Sequence, residues 1–322
     1  MNERFPTVGI IGAGELARMI LAPAIELGIN LLLFAKSSDD SAAQVVPHTV
    51  GDYRDLSALK EFAAKCDVIT IEDEGVPLSV VKSLEISGVK VSPGSGSLQY
   101  SQDRAALRLM LAQESLHILS DELIDFQYQI AVMVARSAHG QATTWAPTQT
   151  VQSEGICTLT ISPAPSISQD VAEKAQHLAL SIANKISLIG VMAVEFFVKG
   201  DELFVNQLVM RPHNSGNWTI DGSRTSQFEQ HLRAILDLPL GDPAMTSRFT
   251  VMANIFGGEK KDMYRPYLHL MARNPQLKFH QNKKEVHKGQ RIGHVTVVGE
   301  KLAELIEIAE HARDYMSGEI DE

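Results

Sequence analysis

The densest run of chemically capable side chains lies between Glu195 and Trp218, reading Glu-Phe-Phe-Val-Lys-Gly-Asp-Glu-Leu-Phe-Val-Asn-Gln-Leu-Val-Met-Arg-Pro-His-Asn-Ser-Gly-Asn-Trp. Val191 to Val198 and Glu202 to Val209 alternate as strands around Lys199-Gly200-Asp201, which predicts a hairpin. A three-residue turn at 199 to 201 sets Glu195 opposite Val205, and residues of the same parity, Gln207 included, share its face. Glu195 and Gln207, with Asn206 adjoining, therefore offer oxygens at one place. Carboxylate and amide oxygens suit a hard cation such as Mg²⁺ shared with nucleotide phosphates. The loop that follows, Arg211-Pro-His-Asn-Ser-Gly, sets a guanidinium, an imidazole, an amide and a hydroxyl around a rigid proline, a density of donors that marks a functional loop.

Two further segments carry possible chemistry. Gly12-Ala13-Gly14-Glu15-Leu16-Ala17 follows the G-x-G-x-x-G/A pattern, in which glycines let backbone approach a pyrophosphate at a helix N-terminus. The next strand ends Phe34-Ala35-Lys36-Ser37, without the acidic residue that holds ribose hydroxyls. A Lys-Ser pair suits a 2′-phosphate, so an NADP-binding oxidoreductase stands as one alternative, and a turn with no ligand as another. Between Lys260 and Arg291 lie nine Lys or Arg against Asp262 and Glu285, a local charge of +7. It is either a solvated basic face or a pocket for an anionic small molecule.

The elements that must hold these residues fall into two groups. Val8 to Ile11, Asn30 to Ala35, Val68 to Ile71 and Val89 to Val91 read as strands. Glu15 to Leu27, Leu56 to Lys65 behind an Asp55 cap, and Leu78 to Leu84 read as helices between them. Such alternation predicts an α/β, doubly wound parallel sheet. Beyond it, Gln129 to Arg136 and His294 to Val298 read as strands, with helices at Ser168 to Lys185, Ser226 to Leu236 and Leu302 to Tyr315. With the hairpin, these make an α+β half with antiparallel sheet. The expected division is 1–119 and 120–322, the second part carrying the basic segment 260–291.

The 322-residue chain is long enough for a sizeable core, and its 44% hydrophobic and 21% charged residues are ordinary for a globular protein. A net charge of −10 disfavours nonspecific binding to nucleic acid or an anionic membrane. No apolar run is long enough to span a bilayer and Met1 to Val8 does not read as a leader, so a cytoplasmic protein is expected. Cys66 and Cys157 read as free structural thiols.

The strings Ile10 to Met19, Glu72-Asp-Glu-Gly-Val-Pro, Gln102-Asp-Arg, Val194-Glu-Phe-Phe-Val, Val205-Asn-Gln, Arg211 to Asp221, Thr225-Ser-Gln-Phe-Glu-Gln-His and Gly293-His-Val-Thr resemble the 5-(carboxyamino)imidazole ribonucleotide synthases. These are ATP-grasp ligases of purine biosynthesis, and the resemblance covers nearly the whole chain. It implies a Rossmann-like pre-ATP-grasp domain that binds the ribotide, a lid, and an ATP-grasp domain, assembled as a homodimer. ATP with Mg²⁺ would phosphorylate bicarbonate, and carboxyphosphate would carboxylate aminoimidazole ribonucleotide. Carried over by position, Arg211, His213 and Asn214 would be catalytic. Gly14, Leu16, Glu72, Ser215, Gly216, Trp218, Lys283 and Arg291 would bind substrate, Arg104, Arg108 and Glu122 would face ATP, and Glu195 with Asn206 would hold metal.

The chain departs from that pattern where ATP should react. Relatives carry the lid, with a lysine and a glycine-rich phosphate loop, between the segments here reading Arg108 to Gln113 and Glu122 to Phe126. Only a short connector joins them here, too few residues for a domain. No lysine occurs from Val91 to Glu173 and no glycine from Ser97 to His139, so a phosphate cradle lacks its parts. Gln207 replaces the second metal carboxylate, Gln129 a glutamate near the ATP ribose, and Glu15 a glutamine near the ribotide phosphate. His287 replaces a basic residue, Asn217 a histidine and Met210 a proline. The expectation is a lid-less homologue that keeps the fold and an anion pocket while ATP turnover is lost or severely reduced. An active ligase is the alternative, and a different ribotide reaction without ATP a third reading.

Overall fold

The computed structural model describes residues 4–113, 125–258, 262–282 and 285–320. Glu122, Lys283 and three more lysines of the basic segment, Lys260, Lys261 and Lys284, lie outside the described residues.

Strands β1 (Thr7–Ile11), β2 (Asn30–Ala35), β3 (His48–Val50) and β4 (Val68–Ile71) form a parallel sheet in the order β3-β2-β1-β4. Helices α1 (Glu15–Glu26), α2 (Leu56–Ala63) and α3 (Leu78–Ile86) alternate with them, as the sequence predicts. Asp55 caps α2 by accepting from the N–H groups of Ser57 and Ala58. Leu16, Ala17, Ile20 and Ala24 form the buried stripe of α1. The strand expected at Val89 to Val91 shrinks to a single bridge between Ile69 and Val91, because Pro93 has no N–H with which to extend a ladder. Helices α4 (Ser95–Gln102) and α5 (Arg104–Gln113), which the sequence reading missed, complete this half.

The second half contains β5 (Tyr128–Arg136), β6 (Ala142–Thr144), β7 (Thr148–Ser153), β8 (Ile156–Ser162), α6 (Gln169–Lys185), β9 (Gly190–Lys199) and β10 (Glu202–Val209). It continues through α7 (Thr219–Gly222), α8 (Gln227–Ile235), β11 (Phe249–Phe256), α9 (Pro266–Arg273), β12 (Lys278–Gln281), β13 (Arg291–Gly299) and α10 (Leu302–Ser317). Its strands make one antiparallel sheet, β10-β9-β5-β7-β8-β11-β13-β12, with β6 added to β5. Ser168 and Ser226 cap α6 and α8, accepting from the N–H groups of Val171 and Glu229.

The two halves share their cores. Phe228, Leu232 and Ile235 of α8 pack with Val8, Ile10 and Leu16 of the parallel-sheet half. His231 on the same helix ties the sheets together: its Nδ1 accepts from the Val191 N–H (3.2 Å), which leaves the Nε2 proton for Thr70 Oγ1 (2.8 Å). Burial pushes this imidazole down to about 4, so it is neutral in that role.

Candidate functional site

The hairpin of β9 and β10 turns in two residues, Gly200 and Asp201, with Glu202 opposite Lys199 and Gly200 in left-handed backbone at φ +59°. The expected register is therefore corrected. The shorter turn sets Val205 opposite Phe196, and a bulge at Asn206 then brings Gln207 opposite Glu195. Bulging puts two residues against one, and both reach the same carboxylate. Asn206 Nδ2 and Gln207 Nε2 donate to Glu195 Oε2 at 3.2 and 2.8 Å, and Gln129 Nε2 of the neighbouring β5 approaches it at 3.4 Å. Burial pushes the Glu195 carboxyl above its ordinary value against the opposing pull of these amides, first among them Gln207.

This carboxylate opens onto a cavity of about 410 Å³ that also meets His213, Asn214, Ser215, Cys157 and Arg291. Phe126 and Phe197, stacked with centroids 4.2 Å apart, supply an apolar wall. His213 Nδ1 accepts from the Ser215 N–H at 3.4 Å and lies 2.8 Å from Ser215 Oγ. A backbone N–H can only donate, so Nδ1 is unprotonated and the ring proton sits on Nε2, 3.7 Å from Glu195 Oε1. Burial, and then the Arg211 charge, push His213 down to about 3. A neutral imidazole with a fixed tautomer faces a carboxylate whose other neighbours are amides.

Such a donor set does not fit Mg²⁺ bridging nucleotide phosphates. A hard divalent ion needs several oxygens and charge balance, whereas here one carboxylate is engaged by three amide N–H groups. Among the described residues no cluster of three or more His, Cys, Asp and Glu side chains could hold a metal. Gln152, whose Nε2 donates to Gln129 Oε1, extends the amide layer.

The remaining sequence candidates are dispersed. Arg211 does not line the cavity; its Nη2 is paired with exposed Glu74 at 2.5 Å, in a cleft with Asp73 and Gln102. Trp218 is wholly buried and packs with Trp145, and the Leu16 side chain is core. A Cβ on Gly216 would lie 2.7 Å from Gln227 Oε1, so its glycine serves the close approach of α8. Arg104 is exposed and Arg108 half-buried on α5. Gly14 presents its N–H to Glu72 Oε2 at 3.1 Å, and Gly12, at φ +122°, gives that carboxylate room. The loop amide that a pyrophosphate would need is thus taken, and Lys36 is paired with Asp73 at 2.9 Å. Both anchors of the NADP alternative are occupied.

Arg291 lines the cavity, and its guanidinium is paired with Glu15 at the start of α1. The sequence reading missed Cys157, Thr150, Gln152, Phe126 and Phe197 as cavity residues. The run Thr-Gln-Thr-Val-Gln-Ser of β7 gave the available signal: alternating polar side chains on a strand at the middle of a sheet.

A parallel Rossmann-like half docked on an antiparallel sheet, with a polar cleft between hairpin and loop, is the architecture of an ATP-grasp protein. Family models match in that order: a ribonucleotide synthetase preATP-grasp domain at residues 5–102, an ATP-grasp domain at 75–228, and a phosphoribosylaminoimidazole carboxylase C-terminal domain at 250–308. N5-carboxyaminoimidazole ribonucleotide synthase of Mycobacterium tuberculosis H37Rv is 37% identical over 377 residues, covering 97% of this chain and 88% of the relative. The enzyme of Corynebacterium ammoniagenes is 31% identical, covering 92% and 88%. The Thermus thermophilus synthetase structure superposes with a TM-score of 0.88 at 26% identity, covering 98% of this chain and 99% of that one. The chain belongs to the N5-carboxyaminoimidazole ribonucleotide synthase family of purine biosynthesis. A family structure of 26% identity and TM-score 0.89, covering 98% of both chains, is an ADP complex.

Proposed function

We propose that this family member keeps the fold and an anion-accepting pocket while its ATP-dependent ligase activity is lost or severely reduced. The observation that carries this reading is the Glu195 site. Phosphoryl transfer depends on positioning and on cations that neutralise the triphosphate. Here the second carboxylate is an amide, Gln207, and the first is engaged by three amides. Support comes also from the connector. Helix α5 ends at Gln113 and β5 begins at Tyr128, which leaves residues 114–127 for the interval in which the resemblance implies a lid. The match to the M. tuberculosis enzyme spans 377 aligned residues, more than the 322 of this chain, as expected if relatives hold a segment this chain lacks.

On this reading the division falls between an N-terminal part, 1–119, and the grasp part, 120–322. His213, Asn214, Ser215 and Arg291 form the wall that receives a phosphorylated or carboxylated small molecule, the ribotide being the first candidate. Titration calorimetry of the purified protein tests this directly. Aminoimidazole ribonucleotide is expected to give saturable heat and Mg·ATP none. Tight Mg·ATP binding, or no ribotide binding, would overturn it.

A further inference from the structure

The N-terminus of α1 carries the parts of an anion site. Glu15 opens this twelve-residue helix, and its N-cap, Gly14, has no side chain to satisfy the first free N–H groups. Arg291 reaches the same place, half-buried, its guanidinium pushed down to about 10 by burial. Asn282, wholly buried, adds a side-chain amide. The frame is braced: Ser41 Oγ donates to the Asn282 carbonyl at 2.7 Å, and Arg18 Nη1 donates to the Ser41 carbonyl at 2.7 Å. Arg291 Nε and Asn282 Oδ1 are buried without partners. A helix start, a guanidinium and an amide converging beside a cavity would hold a phosphate or carboxylate.

The group they hold belongs to the chain. Both Arg291 Nη2 and Asn282 Nδ2 donate to the Glu15 carboxylate. The N–H of Gly14, at the start of the helix, is given to Glu72. We propose that Glu15 is an internal anion occupying this subsite, so that an incoming phosphate or carboxylate must displace it from Arg291 and Asn282. A glutamine there would leave the guanidinium uncompensated and free for the ligand. Glu15 thus sets both affinity and selectivity: ligands whose anionic group is weakly held are turned away, and neutral ones are not penalised. The inference rests on the reading that the cavity receives an anion.

Ribose 5-phosphate, titrated calorimetrically at pH 7.5 into wild type, Glu15→Gln and Glu15→Gln/Arg291→Gln, tests it. The expected result is binding at least about tenfold tighter to Glu15→Gln than to wild type, with the gain abolished in the double variant. Glu15→Ser gives the same comparison if the Gln variant does not fold. Equal affinity in wild type and Glu15→Gln, lost with Arg291, would remove Glu15 from the site but leave the pocket. No binding to any of them would overturn both the inference and the anion pocket.

Discussion

In the cavity the Glu195 carboxylate is met by Gln129, Asn206 and Gln207; behind Arg291, which lines the same cavity, the Glu15 carboxylate is met by Arg291 and Asn282. Both are largely buried, yet only one is balanced by charge. Amide dipoles satisfy hydrogen-bond capacity without cancelling charge, and burial accordingly drives the Glu195 carboxyl upward. At the Glu15 end the ion pair neutralises the site from within. Taken together, the Glu195 end offers one carboxylate already engaged by amides, and the Glu15 end holds its guanidinium in an internal ion pair.

Opposite consequences of substitution at the two ends are the sharpest way to break this contrast. Arg291→Met leaves the largely buried Glu15 with Asn282 but no balancing charge, and is expected to destabilise the protein by about 3 kcal/mol in urea unfolding, the usual scale for breaking such a pair. A loss under about 0.5 kcal/mol would show that Glu15 finds water or another partner. Glu195→Gln should act the other way. The folded pKa of Glu195 lies above its unfolded value, so the stability it contributes is present at low pH and lost as pH rises through the folded pKa. The variant escapes that loss, and should be more stable than wild type at pH 7.5, the difference vanishing toward pH 4. A destabilised Glu195→Gln at pH 7.5 would mean that the amides over-compensate burial.

The imidazole between the ends gives a third, smaller test. His213, held down to about 3, should show no titration of its ring signals in NMR between pH 8 and 5. Because its folded pKa is depressed, its contribution to stability is complete above about 6.5 and lost as pH falls below that. A midpoint near 6.5 would place His213 in solvent rather than against Glu195. Smallest of all is Arg211→Ala, which removes a pair with an exposed glutamate and should cost under about 1 kcal/mol. A large loss of ribose 5-phosphate binding would return Arg211 to the pocket.

Much of this site could be read before the fold was known, and the parts that could not have physical reasons. Residue types and strand parity placed Glu195 and Gln207 on one face, but the bulge at Asn206 depends on tertiary pairing and altered the register. The loop from Arg211 to Gly216 announced itself by donor density, yet only packing separates His213, at the cavity, from Arg211, on Glu74, and from Trp218, in the core. The cap at Asp55 was legible because it is local. The Glu15–Arg291 pair spans most of the chain; the resemblance sets both residues near the ribotide, but only packing brings them into contact with each other.

Loss of ATP turnover on an ATP-grasp fold is the proposal on which the contrast between the two sites depends. Phosphate release by the purified protein, measured with Mg·ATP and bicarbonate, with and without aminoimidazole ribonucleotide, tests it most directly. No release above background is expected, and none gained by Gln207→Glu alone, because a second carboxylate would come without the cradle and lysine that a triphosphate needs. Ribotide-stimulated phosphate release by the wild-type protein, abolished by Glu195→Ala, would contradict it.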